Sequence, residues 1–465
     1  MLLEVTKLVA PPQCARKDLY DLVSLTLVCR FWRAILINQP RIWSTIVATH
    51  SDRRSFVEAC LERSHPVPLD VKMEAHEEVL AHPDCSCGKD DRGRLFPNEM
   101  TPCEWHFQFE CLAEPKHSRR IRTLEICSAS DSVSEEGRKE LAVLGCCRLF
   151  TSSFPGLAAL KWEGHMAEGV EHLFSTPSSP PSLCSLAYSG IWNDTIASVK
   201  NLTSFVFESS KNSRTNIEAI RLFMLNNQSL ESLAFRSPGF RGGSKGPPVP
   251  LPNLKSLNVD TASKKLSTII RVPALGHLSS LQVTPWGSTG YRLRATGDGI
   301  TFSAMCFKKH FTETWKGFTG YARPVLQHVR LDGRLWHNSR GKHNAAFLSV
   351  LKNAHTLEVG SGYFPLWYDR FQEDLKQLGQ QLKVIRFVIS NRLELTEEND
   401  EDEADRVNLL RQIEDLVRYR FEHGRPFSTV ERMVVGGSGR TNRHLDYLWR
   451  SFYGSRKLGE YVLPA

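Results

Sequence analysis

Thiols and imidazoles, the side chains best suited to binding a metal ion, are concentrated between positions 82 and 111. They are His82, Cys85, Cys87, Cys103, His106 and Cys111. Thiolate and imidazole groups are common ligands of tetrahedral zinc, so a structural zinc site is one interpretation. The spacing argues against it, because the only close cysteine pair is separated by one residue instead of the common two. We therefore predict no metal and no cofactor here, only a polar surface loop with reduced cysteines.

Motifs that would indicate catalysis are missing from the sequence. The glycine-rich stretch Gly242–Gly246 lacks the Gly-x(4)-Gly-Lys-Ser/Thr spacing that holds phosphate ahead of a helix. No Gly-x-Ser-x-Gly elbow is present, and the 16 histidines form no local catalytic pattern. We therefore predict no catalytic residue and expect that the chain is not an enzyme.

A hexad of the form apolar-x-x-apolar-x-apolar recurs along most of the chain. Its last two apolar residues are two positions apart, which places them on the same side of an extended strand. The first apolar residue enters from the preceding turn, so we assign all three to the core. The eleven hexads are Ile121/Leu124/Ile126, Leu157/Leu160/Trp162, Leu183/Leu186/Tyr188, Leu202/Phe205/Phe207, Leu230/Leu233/Phe235, Leu254/Leu257/Val259, Leu278/Leu281/Val283, Leu326/Val329/Leu331, Ala354/Leu357/Val359, Leu382/Ile385/Phe387 and Val430/Met433/Val435.

The spacing of the hexads indicates a repeat architecture. Their last members lie 24 residues apart between Phe235 and Val283 and 28 apart between Leu331 and Phe387. Both steps fall in the leucine-rich-repeat range of about 20 to 29 residues. Helical periodicity precedes some hexads, as at 217–225 and 369–378. We therefore predict an α/β fold, a leucine-rich-repeat solenoid or horseshoe with a parallel sheet and outer helices over residues 49–465.

Four segments interrupt this pattern and are predicted to be irregular insertions. They lie near residues 82–111, 237–252, 284–320 and 391–405. The second is rich in glycine and proline, and the last holds eight acids and one arginine, which are compositions typical of solvated surface loops.

The first 48 residues differ from the repeats and are predicted to form a separate helical module. Apolar residues recur every three or four positions from Leu22 to Ile35, which predicts one helix of about four turns. Pro40 ends the helix, and Trp43 follows in a short turn. A module of this size is expected to pack on a partner or on the first repeat.

The module resembles the F-box of ubiquitin-ligase subunits. The resemblance is carried by Leu25-Thr-Leu-Val-Cys-Arg-Phe-Trp-Arg33, followed by Pro40-Arg-Ile-Trp43. With fungal F-box proteins it extends over 56–72, so it covers about the first 70 residues. It implies that five residues belong to the module's core or to its contact with a Skp-type adaptor: Leu22, Leu25, Val28, Trp32 and Trp43.

The resemblance implies a function in protein recognition. The chain is expected to be the substrate receptor of a Skp/cullin/F-box ubiquitin ligase, with the module holding the Skp-type adaptor and cullin scaffold. A protein substrate would then bind the repeats. One alternative is a leucine-rich-repeat scaffold outside any ligase, in which a degenerate F-box caps the solenoid. Another is a repeat protein that binds nucleic acid through its basic surface.

Charge and hydropathy narrow the set of partners. The formal net charge is +8, but residues 391–405 carry −7, which leaves +15 on the rest of the chain. We expect no nucleic-acid partner, because no long basic cluster with interleaved aromatic residues is present. No apolar stretch approaches the roughly 20 residues that span a bilayer, and 1–10 lacks the features of a secretory signal. We therefore expect no membrane partner, a cytoplasmic or nuclear location, and unused glycosylation sequons at Asn193, Asn201 and Asn227.

Overall fold

The hexads form strands. In the computed structural model every one of the eleven hexads has its last two apolar residues inside a strand. The structure describes residues 24, 26–49, 54–75, 104–128, 154–163, 182–190, 192, 194–209, 214–236, 239–259, 263–286, 290–307, 314–315, 318, 326–331, 354–360, 381–390, 415, 418–424, 429–435 and 459–463. Contacts divide the chain into two units, residues 1–241 and 242–465.

The first unit contains a sheet whose strand order follows the chain. Its described strands are β1 (Thr45–Thr49), β2 (Leu69–Ala75), β3 (Ile121–Ser128), β4 (Ala159–Glu163), β5 (Ser185–Gly190), β6 (Ser204–Ser209) and β8 (Ser232–Arg236). All six neighbouring pairs are parallel. Two short strands, β7 (Arg214–Asn216) and β9 (Gly239–Arg241), pair with each other apart from this sheet.

The hexads of the first unit stand in register across its sheet. Their second members form one row, Leu124, Leu160, Leu186, Phe205 and Leu233. Their third members form an adjacent row, Ile126, Trp162, Tyr188, Phe207 and Phe235. Every residue of both rows is at most 6% exposed, so the rows face a common core. Two strands without a predicted hexad, β1 and β2, extend the rows with Ile46 and Ala48 and with Val71 and Met73.

The helices of the first unit either precede β1 or lie between strands along the chain. The described ones are α1 (Arg30–Ile37), α2 (Arg54–Arg63), α3 (Glu104–Ala113), α4 (Pro115–Ser118), α5 (Asp194–Ser198) and α6 (Ile217–Asn226). Helix α6 confirms the helix predicted at 217–225. It begins where Asn216 Oδ1 accepts a hydrogen bond from the backbone N–H of Glu218 at 3.0 Å, an N-cap, and its inward side buries Phe223 and Met224.

The buried side chain of Asn227 forms hydrogen bonds that join the end of α6 to the segment leading into β6. Its Oδ1 accepts from the backbone N–H of Leu202 at 2.9 Å. Its Nδ2 donates to the carbonyl oxygens of Val199, at 2.7 Å, and Phe223, at 2.9 Å. The amide therefore satisfies backbone groups both in α6 and in the segment that leads into β6, as a buried polar group requires.

The second unit has a sheet with a different strand order. Its described strands are β10 (Val249–Pro250), β11 (Ser256–Val259), β12 (Ile270–Arg271), β13 (Leu278–Trp286), β14 (Gly290–Gly297), β15 (Ile300–Phe307), β16 (His328–Leu331), β17 (Thr356–Gly360), β18 (Val384–Ser390), β19 (Thr429–Val435) and β20 (Gly459–Leu463), with helix α7 (Ser263–Leu266) between β11 and β12. The order is β11-β15-β14-β13-β16-β17-β18-β19-β20, and β10 pairs with β12 separately.

Residues 290–307 correct the sequence prediction, which assigned 284–320 to an irregular insertion. They form β14 and β15, and β14 runs antiparallel to both β13 and β15. The hexad strands β11 and β13 are therefore not neighbours, and β11 pairs with β15 instead. The reversal between β14 and β15 is a tight turn at Asp298-Gly299, where Gly299 has φ +69°. A positive φ is readily adopted by glycine, which makes this dipeptide a favourable hairpin turn.

From β13 onward the strands are again parallel and mostly in register. Leu281, Val329, Leu357 and Ile385 form one row, and Val283, Leu331, Val359 and Phe387 form the next. The final hexad departs from this alignment, because Ile385 stands beside Val430, and Met433 stands beside Val388. The last predicted repeat is thus displaced by three residues relative to its neighbour.

The fold class is α/β with mostly parallel sheets, which confirms that part of the prediction. The predicted domain boundary after residue 48 falls inside β1, and parts of the predicted insertion at 237–252 form β9 and β10. The acidic segment 391–405 and the helix predicted at 369–378 lie outside the described residues. Within the described part of the chain, no helix is long and apolar enough to cross a membrane.

Candidate functional site

The N-terminal helical segment is broken at Cys29. Residues 26–28 are helical, Cys29 is extended, and α1 begins at Arg30. The Cys29 sulfur caps α1 by accepting from the backbone N–H of Trp32 at 3.4 Å. The carbonyl of Thr26, which a continuous helix would pair with the N–H of Arg30, instead accepts from Arg33 Nε at 3.0 Å. The prediction of one uninterrupted helix of about four turns is therefore wrong.

Three large apolar side chains around this break lie in solvent. Leu27, Val28 and Phe31 are 69%, 65% and 63% exposed. They lie on both sides of Cys29 and belong to the stretch that carries the F-box resemblance. A group of exposed apolar residues of this size is typical of a surface that binds another protein. We call Leu27, Val28 and Phe31 the apolar patch.

Trp43 is placed quite differently. It is 1% exposed, and its Nε1–H donates to the carbonyl oxygen of Leu36 at 2.8 Å. The guanidinium of Arg63 lies over its ring, 4.6 Å from the centroid. Trp43 also stands three residues ahead of Ile46, which makes Trp43-x-x-Ile46-x-Ala48 a hexad that the sequence analysis missed. This tryptophan therefore packs in the chain's own core and ties α1 to the first strand.

The three described residues among the five singled out by the resemblance are thus not brought together as one surface. Val28 is exposed, Trp32 is half-buried and Trp43 is buried, while Leu22 and Leu25 lie outside the described residues. Sequence reasoning missed Leu27 and Phe31, because it treated the segment as a single helix with one apolar stripe. The exposed side became visible only once the break at Cys29 divided that stripe.

The solvent-facing side of the first unit's sheet carries charges that are paired with one another. Arg122 makes a bidentate contact with Asp70, at 2.5 and 3.1 Å. Lys161 Nζ lies 2.5 Å from Glu125 and 3.0 Å from Glu163. Burial opposes the protonated form, yet the hydrogen bonds that Lys161 donates to these two carboxylates raise its pKa. This face is therefore electrostatically satisfied by its own side chains.

The solvent-facing side of the second unit's sheet contains a buried carboxylate. Glu358 is 5% exposed, with His328 Nε2 3.5 Å from its Oε2 and Arg330 Nη1 3.0 Å from its Oε1. Burial alone would raise the pKa of Glu358. The hydrogen bond from His328 and the charges of Arg330 and Arg386 outweigh it and lower the pKa below the ordinary value of 4.5.

The described cysteines and histidines do not assemble a metal site. His82, Cys85, Cys87 and Cys103 lie outside the described residues, and His106 lies on α3. Cys111 is buried, and its thiol donates to Glu58 Oε1 at 3.6 Å. Among the described residues, no three His, Cys, Asp or Glu side chains are close enough to hold a metal ion. Burial and the nearby glutamates raise the pKa of Cys127 to about 12, so that thiol stays protonated and unreactive.

Comparisons with known proteins do not assign the chain to a family. No protein-family model matches the chain, and no curated protein matches it.

Proposed function

We propose that this chain is the substrate-recognition subunit of a Skp/cullin/F-box ubiquitin ligase, with an F-box-like segment ahead of a leucine-rich-repeat solenoid. The segment binds the Skp-type adaptor and, through it, the cullin scaffold, and the repeats bind a protein substrate. Such a subunit contributes proximity, because it holds the substrate near a conjugating enzyme without catalysing the transfer itself. Its place of action is the cytoplasm or the nucleus.

The observation that carries the proposal is the exposure of the apolar patch inside the Val28-Cys-x-x-Trp32 motif. Three large apolar side chains in solvent are unfavourable for a chain that works alone, and each gains about 1.5 to 3 kcal/mol when a partner buries it. The strands that follow in register support the second half of the proposal, since stacked repeats offer an extended surface for a macromolecule.

Adaptor capture with surface variants tests the ligase role. Val28→Asp/Phe31→Asp places two charges in the apolar patch and is expected to weaken co-purification with a Skp-type adaptor at least about tenfold. The matched control is Leu222→Asp/Leu225→Asp, which changes two exposed apolar residues of α6, 48% and 41% exposed. Both variants should keep the thermal unfolding midpoint of the parent chain. Absence of adaptor binding by the parent chain rejects the ligase role.

The alternative role, an N-terminal cap for the repeats, is supported by the burial of Leu36 and Trp43. Deleting residues 1–28 separates the two roles, because it removes two patch residues and retains α1, Trp43 and β1. A receptor should lose adaptor binding and keep its stability. A cap built on Leu36 and Trp43 should also keep its stability, because the deletion retains both residues, but its parent chain should not bind the adaptor.

A further inference from the structure

Arginines outnumber acids on the solvent-facing side of the second unit's sheet. Side chains alternate between the two faces of a strand, and cross-strand partners share a face. The positions that face away from the rows of Leu281 and Val283 include Arg292, Arg294, Arg330 and Arg386. Among the residues whose side chains the structure describes, Glu358 is the only acid on this face. We call the four arginines the arginine row.

Three of these arginines lie on one line across the strands. Arg294 pairs with Gln282, Gln282 with Arg330, Arg330 with Glu358, and Glu358 with Arg386. An arginine therefore stands on every second strand, and because neighbouring strands are about 4.8 Å apart, successive arginines are about 10 Å apart. Glu431 stands beside Arg386 on the next strand and closes this line at one end.

The single buried acid does not neutralise the other end of the line. Glu358 is already engaged by His328 and Arg330, at 3.5 and 3.0 Å. Arg294 is exposed and makes no hydrogen bond or ion pair with any other described residue, while Arg292 donates only to the thioether of Met305, at 3.8 Å. The β14 end of the face thus holds positive charge that an external anion can pair with.

We propose that the arginine row binds an acidic segment of a protein partner, lying extended across the strands. In the polyproline II conformation an extended chain has three residues per turn and advances about 3.1 Å per residue, so carboxylates or phosphates three residues apart share one side of the chain and match arginines about 10 Å apart. The proposal rests on the function proposed above, in which the repeats bind a protein substrate, and it gives that substrate a chemical character.

A peptide fits this face better than a nucleic acid does. Base recognition by single-strand binders relies on aromatic platforms, and no aromatic residue stands beside any of the four arginines in the described cross-strand pairs. The neighbours of the arginine row are instead small or polar, such as Gln282, Thr284 and Ser303. These side chains leave room for a backbone and can hydrogen-bond to it.

Fluorescence anisotropy with the full chain tests the proposal. The probes are three labelled peptides of about twelve residues, with glutamate, phosphoserine or alanine at every third position. The glutamate or the phosphoserine peptide is expected to bind, more weakly as salt rises, and the alanine peptide is not. Stronger binding of one acidic peptide identifies carboxylates or phosphates as the preferred groups.

A matched pair of variants locates the binding. Arg292→Gln/Arg294→Gln is expected to weaken peptide binding about tenfold, since two exposed ion pairs of moderate strength are lost. Lys161→Gln/Arg236→Gln removes the same charge from the first unit's face and should leave binding unchanged. An equal loss in both variants, or no binding by the parent chain, overturns the proposal.

Two further outcomes would assign the arginine row to a different occupant and overturn the proposal. One is tighter binding of a single-stranded oligonucleotide than of either acidic peptide. The other is peptide binding seen only after the acids of 394–405 are replaced by their amides, which makes the chain's own acidic run the occupant. Adaptor capture is measured separately, so failure of the ligase role with retained peptide binding is distinguishable from failure of this site.

Discussion

The two units place the same hexad on strands but fill its third position with different side chains. In the first unit the third row contains four aromatic residues, Trp162, Tyr188, Phe207 and Phe235. In the second unit the corresponding row begins with Val283, Leu331 and Val359. The rings of Tyr188 and Phe207 are 5.8 Å apart, and Trp192 packs edge-on against Phe207 at 5.2 Å. Spacing therefore decides where strands form, and side-chain size decides what packs on them.

Charge separates the two units as clearly as packing does. On the first unit's face the ions are paired with each other, as Lys161 is with Glu125 and Glu163. On the second unit's face the arginines exceed the acids that the structure describes. The same hexad spacing therefore accompanies a face whose charges are paired in one unit and a face with an excess of arginine in the other.

Truncating the third row is the most severe test of the packing comparison. Phe207→Ala is expected to lower the free energy of unfolding by about 4 kcal/mol, because it removes a fully buried ring and its aromatic neighbours. Leu331→Ala, at the equivalent position of the second unit, should cost about 2.5 kcal/mol. Urea unfolding of both variants measures the difference. Equal costs would show that aromatic packing does not distinguish the units.

The antiparallel strand of the second unit provides the next test. A Cβ at Gly297 would lie 1.9 Å from the carbonyl oxygen of His277, so Gly297→Ala requires the backbone to move. We expect a loss of about 3 kcal/mol, measured by urea unfolding. Gly243→Ala is the control, because nothing lies within 4 Å of its added Cβ. Similar stabilities of the two variants would contradict the close pairing of β14 with the residues around His277.

Acid should affect the two units in different pH ranges. Burial first, and then Lys116, lowers the pKa of His117 to about 4 from its ordinary 6.5. The unfolded chain therefore takes up this proton first, and stability is lost as pH falls from about 6.5 to 4, by about 2 kcal/mol. His117→Gln should flatten that slope in urea unfolding measured across this range.

In the second unit the acid-sensitive group is Glu358, and it affects stability at lower pH than His117 does. The pKa of Glu358 is lowered, so its contribution is present above 4.5, the ordinary value, and is lost as pH falls below that. Glu358→Gln should leave the slope between pH 6.5 and 4.5 unchanged. A steeper or flatter slope there in this variant would contradict the assignment to His117.

The smallest expected effect concerns the charged faces. Lys161→Met leaves Glu125 and Glu163 without their shared cation and should destabilise the chain by about 0.5 kcal/mol, less at high salt. Arg294→Gln removes a cation without an ion-pair partner in the described structure and should change stability by no more than about 0.3 kcal/mol. Thermal unfolding at low and high salt checks both. A larger loss for Arg294→Gln would show that this arginine is structurally engaged.

Sequence spacing predicted the strands because a hexad imposes two inward positions that only an extended segment satisfies. It missed β14 and β15, although their signal was present: apolar residues alternate at Tyr291, Leu293 and Ala295, and Asp298-Gly299 favours a hairpin turn. This two-residue alternation does not match the spacing of the hexad, so the repeat pattern did not predict it. The sequence also did not predict the strand order, because the spacing of the hexads in β11 and β13 does not show that β14 and β15 lie between those strands in the sheet.

The candidate site was predicted less well than the fold. The motif at Val28 and Trp32 lies in the segment that contains the apolar patch, but no proline or glycine in the sequence indicates the break at Cys29. The sequence left two roles open for Trp43, the core of the module or the contact with an adaptor, because a tryptophan that follows a proline turn can occupy either position. Its burial follows from Ile46 and Ala48 joining the sheet, a long-range pairing that local sequence does not specify. The arginine row likewise depends on which strands become neighbours.

The buried amide of Asn227 also bears on the chain's possible modifications. Asn227-Gln-Ser is an acceptor sequence for N-linked sugar, yet all three of its amide hydrogen bonds point into the protein. A glycan attached there before folding would remove a donor proton and insert a bulky, hydrated group where α6 must close on the preceding turn. Native chains consequently carry this asparagine bare, and sugar at Asn227 would mark molecules that have failed to fold.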